Sequence, residues 1–137
     1  MKYLLDTNIM ILALVDDPSL PDTAREIIAA PEHEKYVSVA SIWEIVIKHA
    51  KNPHAMPLSG EQAVQYCKSC GVQLIPITKE HAITVAGLRA TDAHNDPFDR
   101  LLIAQSKYEN LMFITCDEHL DGYHEPTVLT VKKKTQR

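Results

Sequence analysis

The chain has 137 residues, 45% of them hydrophobic and 23% charged, with a formal net charge of −4 at pH 7. This size and composition fit one globular domain with a buried core, and the acidic balance argues against a protein that coats nucleic acid without specificity. The sequence shows neither a membrane-span pattern nor a secretion signal, and its three cysteines do not suggest a disulfide framework, so we expect a cytoplasmic protein without membrane contact.

Short apolar runs alternate along the chain with stretches of helical periodicity. The apolar runs predict strands at residues 2–6, 36–39, 72–77, 111–115 and 127–131. Helices are predicted to begin near Asn8, Pro21, Ser41, Ser59, Thr78 and Pro97, with a short turn or helix near Glu118. Gly71 is expected to end the fourth helix in a left-handed conformation, and Trp43, Phe98 and Phe113 are expected in the core because they lie in apolar runs.

Strands separated by helical segments imply crossover connections. We therefore predict an α/β domain at residues 1–131, with a mainly parallel central sheet and helices on both faces. Residues 132–137 form a basic C-terminal tail, which we interpret as a solvated end, with phosphate contact as the alternative.

Four acidic residues occupy positions that packing does not explain. Asp6 ends the first strand, Asp117 follows the fourth, Glu44 lies early in the helix after the second strand, and Asp99 lies at a helix start. Burying an unpaired carboxylate is costly, and ligands of parallel sheets bind beyond the carboxyl ends of the strands. Mg²⁺ and Mn²⁺ prefer carboxylate oxygens, so these acids predict a divalent-metal site.

Each acid also has a structural interpretation as a helix cap. Asp6 and Asp117 can cap the segments that follow them. Ser41 and Glu44 have the spacing of a capping box, and Asp96-Pro97-Phe98-Asp99 is typical of a helix N-terminus. Capping alone does not explain why Asp6 and Asp117 should share one sheet edge, and a capping residue can still direct one oxygen to a metal.

Four segments carry a resemblance to a known family. They are Leu4-Leu5-Asp6-Thr7-Asn8, the run from Ser38 to Lys48, the run from His94 to Gln105, and Phe113-Ile114-Thr115-Cys116-Asp117. In this order and spacing the chain resembles the PIN-domain nucleases, and more narrowly the VapC-type toxins of bacterial toxin–antitoxin pairs.

The resemblance implies a PIN-like (Rossmann-like) α/β/α sandwich that cleaves RNA with Mg²⁺ or Mn²⁺. It assigns Asp6 and Asp99 as principal metal ligands, with Glu44 and Asp117 as the third and fourth acids of the catalytic site. Supporting polar positions are Thr7, Asn8, Ser41 and Thr115, although relatives often have His where this chain has Asn8.

The same resemblance implies partners. It predicts a homodimer, a cognate antitoxin protein, and an RNA substrate, commonly tRNA or rRNA. From the residues themselves, Arg100 and Lys48 are possible RNA contacts, on a rim that Lys51, Arg89 and Lys107 could extend.

Two other classes of function stay open at this point. One is a non-catalytic RNA- or protein-binding module on the same scaffold. The other is an aspartate-based phosphotransfer domain, although Asp6-Thr7-Asn8 lacks the Asp-x-Asp pair that phosphatases of this kind use. The lone Cys67-Lys68-Ser69-Cys70 motif has no second cysteine pair and favours ordinary packing over a zinc site.

Overall fold

The computed structural model describes residues 1–89 and 96–132. Its strands are β1 (Lys2–Leu5), β2 (Glu34–Ser38), β3 (Gln73–Ile75), β4 (Met112–Thr115) and β5 (Val128–Thr130). Its α-helices are α1 (Thr7–Leu14), α2 (Asp22–Ala29), α3 (Val39–Lys51), α4 (Gly60–Ser69), α5 (Lys79–Thr84) and α6 (Pro97–Glu109), with 3₁₀ helices at Val85–Gly87 and Glu118–Tyr123.

The five strands form one sheet in the order β3-β2-β1-β4-β5. Every strand pairing among the described residues is parallel, which confirms the predicted parallel sheet. The register pairs Leu5 of β1 with Ile114 of β4. Because β1 is the central strand, the residue that follows it lies in the middle of the carboxyl edge of the sheet.

The core lies on both faces of this sheet, because successive residues of a strand point to opposite sides. Tyr3 and Leu5 pack in one hydrophobic cluster with residues of α1, α2 and α4. Leu4 and Phe113 pack in a second cluster with residues of α6. The predicted α/β/α arrangement is therefore confirmed.

Some boundaries differ from the predictions. Helix α3 begins at Val39, since Ser38 rather than Ser41 is its N-cap and accepts a hydrogen bond from the Ala40 N–H. The helix predicted to begin near Thr78 is short, since α5 ends at Thr84 and continues as a 3₁₀ turn.

The predicted aromatic core is wrong at Trp43, which is 60% exposed because it lies on the face of α3 opposite Ile45, whereas Phe113 is fully buried. The left-handed conformation predicted for Gly71 is confirmed by its φ of +70°. Cys67 is buried in the core and Cys70 is exposed and free.

Within the described ranges no helix is long and apolar enough to pass through a bilayer. Residues 90–95 and the basic tail beyond Lys132 lie outside the described residues.

Candidate active site

Asp6 is fixed by the backbone that follows the central strand. Its N–H donates to the Ile114 carbonyl at 2.9 Å and so continues the β1–β4 ladder. Its side chain accepts two hydrogen bonds, at Oδ1 from the Thr7 N–H and at Oδ2 from the Thr115 hydroxyl, both at 2.7 Å. The residue is only 4% exposed. Asp6 is thus both the N-cap of α1 and a buried carboxylate with its two oxygens oriented.

Buried hydroxyl groups extend this arrangement to the neighbouring elements. The Thr7 hydroxyl donates to Ser41 Oγ at 2.8 Å, which links the start of α1 to α3. Thr115 Oγ1, which donates to Asp6, also accepts from the Asp117 N–H at 3.0 Å. Thr7, Ser41 and Thr115, three of the four residues predicted to support the acids, are therefore linked to Asp6 by hydrogen bonds, Thr7 through its backbone N–H and Ser41 through the Thr7 hydroxyl.

Glu44 lies on the second turn of α3, so the predicted capping box with Ser41 is wrong. The helix begins earlier than the spacing suggested because β2 ends at Ser38 and its hydroxyl caps the helix there. Glu44 instead pairs with Lys48 one turn later, with Oε2 and Nζ 2.7 Å apart. Its side chain is 14% exposed, so the carboxylate stands partly sheltered beside the sheet edge.

Asp117 follows β4 and caps the 3₁₀ helix Glu118–Tyr123. Its Oδ1 accepts from the His119 N–H at 3.0 Å and lies 3.1 Å from His119 Nδ1. The side chain is 31% exposed. Asp117 therefore combines the predicted capping role with access to water.

The pKa of Asp6 shows how these acids act on one another. Burial raises this pKa from 3.8 to about 6, against the lowering effect of the hydrogen bonds from Thr115 and Thr7. The negative charges of Glu44 and Asp117 contribute to the same rise, although less than burial does. The structure thus brings Asp6, Glu44 and Asp117 within electrostatic reach, with excess negative charge centred on Asp6.

Asp99 lies on another helix, α6. It lies in the first turn of α6, where its N–H donates to Oδ1 of the capping residue Asp96 at 3.1 Å. The preceding residue, Phe98, packs edge-on against Trp43 with ring centroids 5.3 Å apart. That contact places the start of α6 beside α3, on the turn that carries Glu44. His94 and Asn95, which precede Asp99 in the family motif, lie outside the described residues.

The remaining predicted site residues have other surroundings. Asn8 is exposed and lines a small surface hollow with Cys116. Lys48 is held by Glu44. The Arg100 guanidinium lies over the ring of Tyr123, with its carbon 5.5 Å from the centroid. Both predicted RNA-contacting cations are therefore engaged within the protein.

The donor chemistry of the site fits a hard divalent cation. Across residues 1–89 and 96–132 no three His, Cys, Asp or Glu side chains stand close enough to hold one ion together. Mg²⁺, however, is usually held by one or two carboxylates, with water and substrate phosphate completing its shell. A buried Asp6 carboxylate whose pKa is raised by neighbouring negative charge is a group that such a cation would stabilise.

Two residues near the site were not predicted. Ser38 caps α3, and its position directly after an apolar strand is a sequence signal for that role. Tyr123 contacts Arg100 from 23 residues away, and no local pattern in the sequence connects the two.

Comparisons with known proteins agree with this architecture. The family model for the PIN domain matches residues 3–125. No curated protein gave a significant match.

Among solved structures, the chain is similar to VapBC2 from Rickettsia felis, solved bound to a DNA fragment from its promoter. The TM-score is 0.72 and the identity 16%, and the match covers 98% of this chain and 100% of that chain. The chain is also similar to a toxin–antitoxin complex from Klebsiella pneumoniae, with a TM-score of 0.63 and 20% identity over 93% and 96% of the two chains. A third is VapBC-1 from nontypeable Haemophilus influenzae, with a TM-score of 0.54 and 16% identity over 89% and 94%. At these identities the likeness concerns the fold.

Proposed function

The chain belongs to the PIN-domain family, and from that premise we propose that it is a metal-dependent endoribonuclease, the toxin of a toxin–antitoxin pair. The observation that carries the proposal is the burial of Asp6 and its raised pKa. This residue is a buried carboxylate at the end of the central strand, and burial together with the charges of Glu44 and Asp117 raises its pKa to about 6. Within the described residues, Thr7 and Thr115 donate hydrogen bonds to this carboxylate, and a buried group of this kind is expected to attract a cation from solution.

Asp6 and Asp99 would hold Mg²⁺ or Mn²⁺, with Glu44 and Asp117 completing the acidic site. When bound, the ion would supply Lewis acidity for the phosphodiester and make a bound water easier to deprotonate. Thr7 and Thr115 orient the Asp6 oxygens through their hydrogen bonds. We assign proton acceptance from the attacking water to Asp117, because its carboxylate is the more exposed, at 31% against 14% for Glu44.

The proposed substrate is RNA with unpaired bases, as in the loops of tRNA or rRNA. Unstacked bases can be recognised by side chains, whereas the edges of duplex RNA are hidden in a deep groove. Lys48 lies one helical turn from Glu44 and is 47% exposed, so its ammonium can contact phosphate while it remains beside the site. The proposed role places the protein in the cytoplasm with its RNA target.

The exposed apolar residues of α3 support the proposal of a protein partner. Val39, Trp43, Val46 and Ile47 are each more than 40% exposed, and an apolar cluster of this kind is typical of an interaction surface. We propose that the protein forms a homodimer and binds a cognate antitoxin. A basic side chain of the antitoxin that reached Asp6 would neutralise the same charge that a metal ion would.

A cleavage assay separates this proposal from a non-catalytic RNA- or protein-binding module. Labelled total RNA is incubated with the protein in Mg²⁺, in Mn²⁺ and in EDTA, and the products are resolved by size. We expect cleavage that requires metal and is lost in Asp6→Asn. Asp16→Asn is the matched control, because Asp16 is an exposed aspartate with a positive φ that asparagine adopts readily. RNA binding without cleavage under every condition would favour the non-catalytic module.

The partners are tested separately. Light scattering during gel filtration is expected to give the mass of a dimer, and a monomer at micromolar concentration would contradict the homodimer. Growth arrest on induction, relieved by a co-expressed neighbouring gene, would support the toxin–antitoxin role. Unchanged growth with a cleavage-competent protein would contradict that role alone.

A further inference from the structure

Arg100 is held against a second element of the fold. It follows Asp99 directly in the first turn of α6. Its guanidinium carbon lies 5.5 Å from the ring centroid of Tyr123, within the range of a cation–π contact. Its Nη1 also donates a long hydrogen bond of 3.4 Å to the Tyr123 hydroxyl. The side chain therefore meets Tyr123 through both the ring and the hydroxyl.

Tyr123 offers Arg100 a fixed surface. It is 1% exposed and belongs to the hydrophobic cluster that also holds Leu102 of α6, Phe113 of β4 and Leu120. A side chain packed in this way has little freedom to change rotamer. The ring is thus a rigid support for the guanidinium.

The contact joins the segments that carry two of the four acids. Tyr123 is the last residue of the 3₁₀ helix that Asp117 caps. Arg100 is adjacent to Asp99. Holding Arg100 on Tyr123 therefore fixes the first turn of α6 relative to the segment after β4, and with it the placement of Asp99 relative to Asp117.

We infer that Arg100 is a positioning residue of the acidic site, which acts through Tyr123 rather than by contacting RNA phosphate. The inference rests on the proposed function and deepens it, because it assigns a role to a residue that the sequence suggested as an RNA contact. A guanidinium suits this role since it is planar and stacks on aromatic faces, which the ammonium of lysine does less well.

A positioning role and a phosphate-contact role for Arg100 predict different experimental results. The Arg100 variants are Arg100→Lys, which keeps the charge, and Arg100→Gln, which removes it. The Tyr123 variants are Tyr123→Leu, which removes the ring, and Tyr123→Phe, which removes only the hydroxyl. Lys107→Gln is the matched control, because Lys107 is also on α6 and also pairs across to the chain after Tyr123, with Glu125 at 3.0 Å. Thermal melts and near-UV circular dichroism identify the variants that fold.

Three quantities are measured for each folded variant. The first is the affinity for Mn²⁺ without RNA, by calorimetry. The second is the affinity for a cleavage-resistant single-stranded RNA over a range of salt concentrations. The third is the separate kcat and KM for cleavage.

For Arg100→Lys and Tyr123→Leu we expect Mn²⁺ affinity and kcat to fall by about 10-fold, as is typical when a group that orients metal ligands is lost. RNA affinity, its salt dependence and KM should stay at the wild-type level. Tyr123→Phe, which keeps the ring and the packing, should show the smaller part of the effect. Lys107→Gln should leave Mn²⁺ affinity unchanged.

The opposite pattern would overturn the inference. Suppose that Arg100→Lys keeps its Mn²⁺ affinity while Arg100→Gln binds RNA more weakly, with a slope of log affinity against log salt concentration that is smaller by about 1. Arg100 would then be a phosphate ligand. Suppose that the wild-type protein binds Mn²⁺ and cleaves RNA. If Arg100→Lys and the folded Tyr123 variants then keep the wild-type Mn²⁺ affinity and kcat, the inference alone fails. A wild-type protein that neither binds Mn²⁺ nor cleaves RNA would overturn the proposed function, and this inference with it.

Discussion

Replacing Asp6 by asparagine tests the electrostatics of the site without RNA. The folded protein raises the pKa of Asp6 from 3.8 to about 6, and each pKa unit corresponds to about 1.4 kcal/mol. Ionised Asp6 therefore costs the metal-free protein about 3 kcal/mol of stability at neutral pH. Asp6 is only 4% exposed, so solvent screening reduces this cost little.

Asparagine removes the charge and keeps the shape, but it disturbs one hydrogen bond. Its amide nitrogen replaces an oxygen that accepts a hydrogen bond, for example from the Thr115 hydroxyl, and the loss is about 1 kcal/mol. In EDTA at pH 7.5 we therefore expect Asp6→Asn to be more stable than the wild type by about 2 kcal/mol, the difference of these two terms.

The advantage of Asp6→Asn should depend on pH with a definite sign. A carboxyl group with a raised folded pKa contributes its full stability below the unfolded value of 3.8 and loses it as the pH rises through about 6. Below about pH 4 the wild-type side chain is neutral, and the variant should then be the less stable protein by about 1 kcal/mol. The difference in stability between the two proteins should thus change sign between pH 4 and 7.

Urea denaturation followed by circular dichroism measures this difference at each pH, since the titration of the other groups largely cancels between the two proteins. Asp16→Asn is the control, because Asp16 is exposed and its ion pair with Arg25 lies in solvent, where such pairs contribute little. If Asp6→Asn is less stable than the wild type by the same amount at pH 4 and pH 7.5, ionised Asp6 carries no burial cost and the raised pKa is contradicted.

Further measurements test the same arrangement. Mg²⁺ or Mn²⁺ should raise the melting temperature of the wild type by mass action, by the equivalent of about 2.7 kcal/mol at 100 times Kd, and leave Asp6→Asn unchanged in differential scanning fluorimetry; an equal response of both proteins would place the metal elsewhere. Thr115→Val should lower the free energy of unfolding by about 1–3 kcal/mol. It should also raise the pKa of Asp6 above about 6, because the Thr115 hydrogen bond that lowers this pKa is removed. Denaturation at several pH values measures both effects, and Thr115→Ser, which keeps the hydroxyl, should restore the wild-type values. Glu44→Gln should lower the pKa of Asp6, because the charge of Glu44 raises it; carbon-13 NMR of the carboxyl groups measures the titration, and an unchanged midpoint would show that Glu44 does not act on Asp6.

Local patterns predicted most of the secondary structure, because apolar runs and cap residues act over a few positions. The run before Asp6 became the central strand, and Pro97 after Asp96 marked the start of α6 as expected. The start of α3 was missed because Ser38 and Ser41 are equally suitable caps in the sequence. The pairing of Ser38 with Ile75 of β3 extends the strand to the residue that then caps the helix.

Exposure was predicted less well than helix position. Trp43 lies in an apolar run, yet it is exposed and packs on Phe98 at the surface. Periodicity cannot assign an inward face to a helix that is apolar on several sides, as α3 is with Ile42, Ile45, Val46 and Ile47. The neighbours of α3 decided which of these side chains is buried.

Local sequence patterns were enough to predict the parallel α/β order and the acids at the strand ends, because both depend on residues close together in the chain. Tertiary packing alone decided that Thr115 donates to Asp6 across 109 positions, that burial and two neighbouring charges raise the pKa of Asp6, and that Arg100 rests on Tyr123. Hydrogen bonds, charge interactions and desolvation act over a few ångströms in space, and only the folded chain sets those distances.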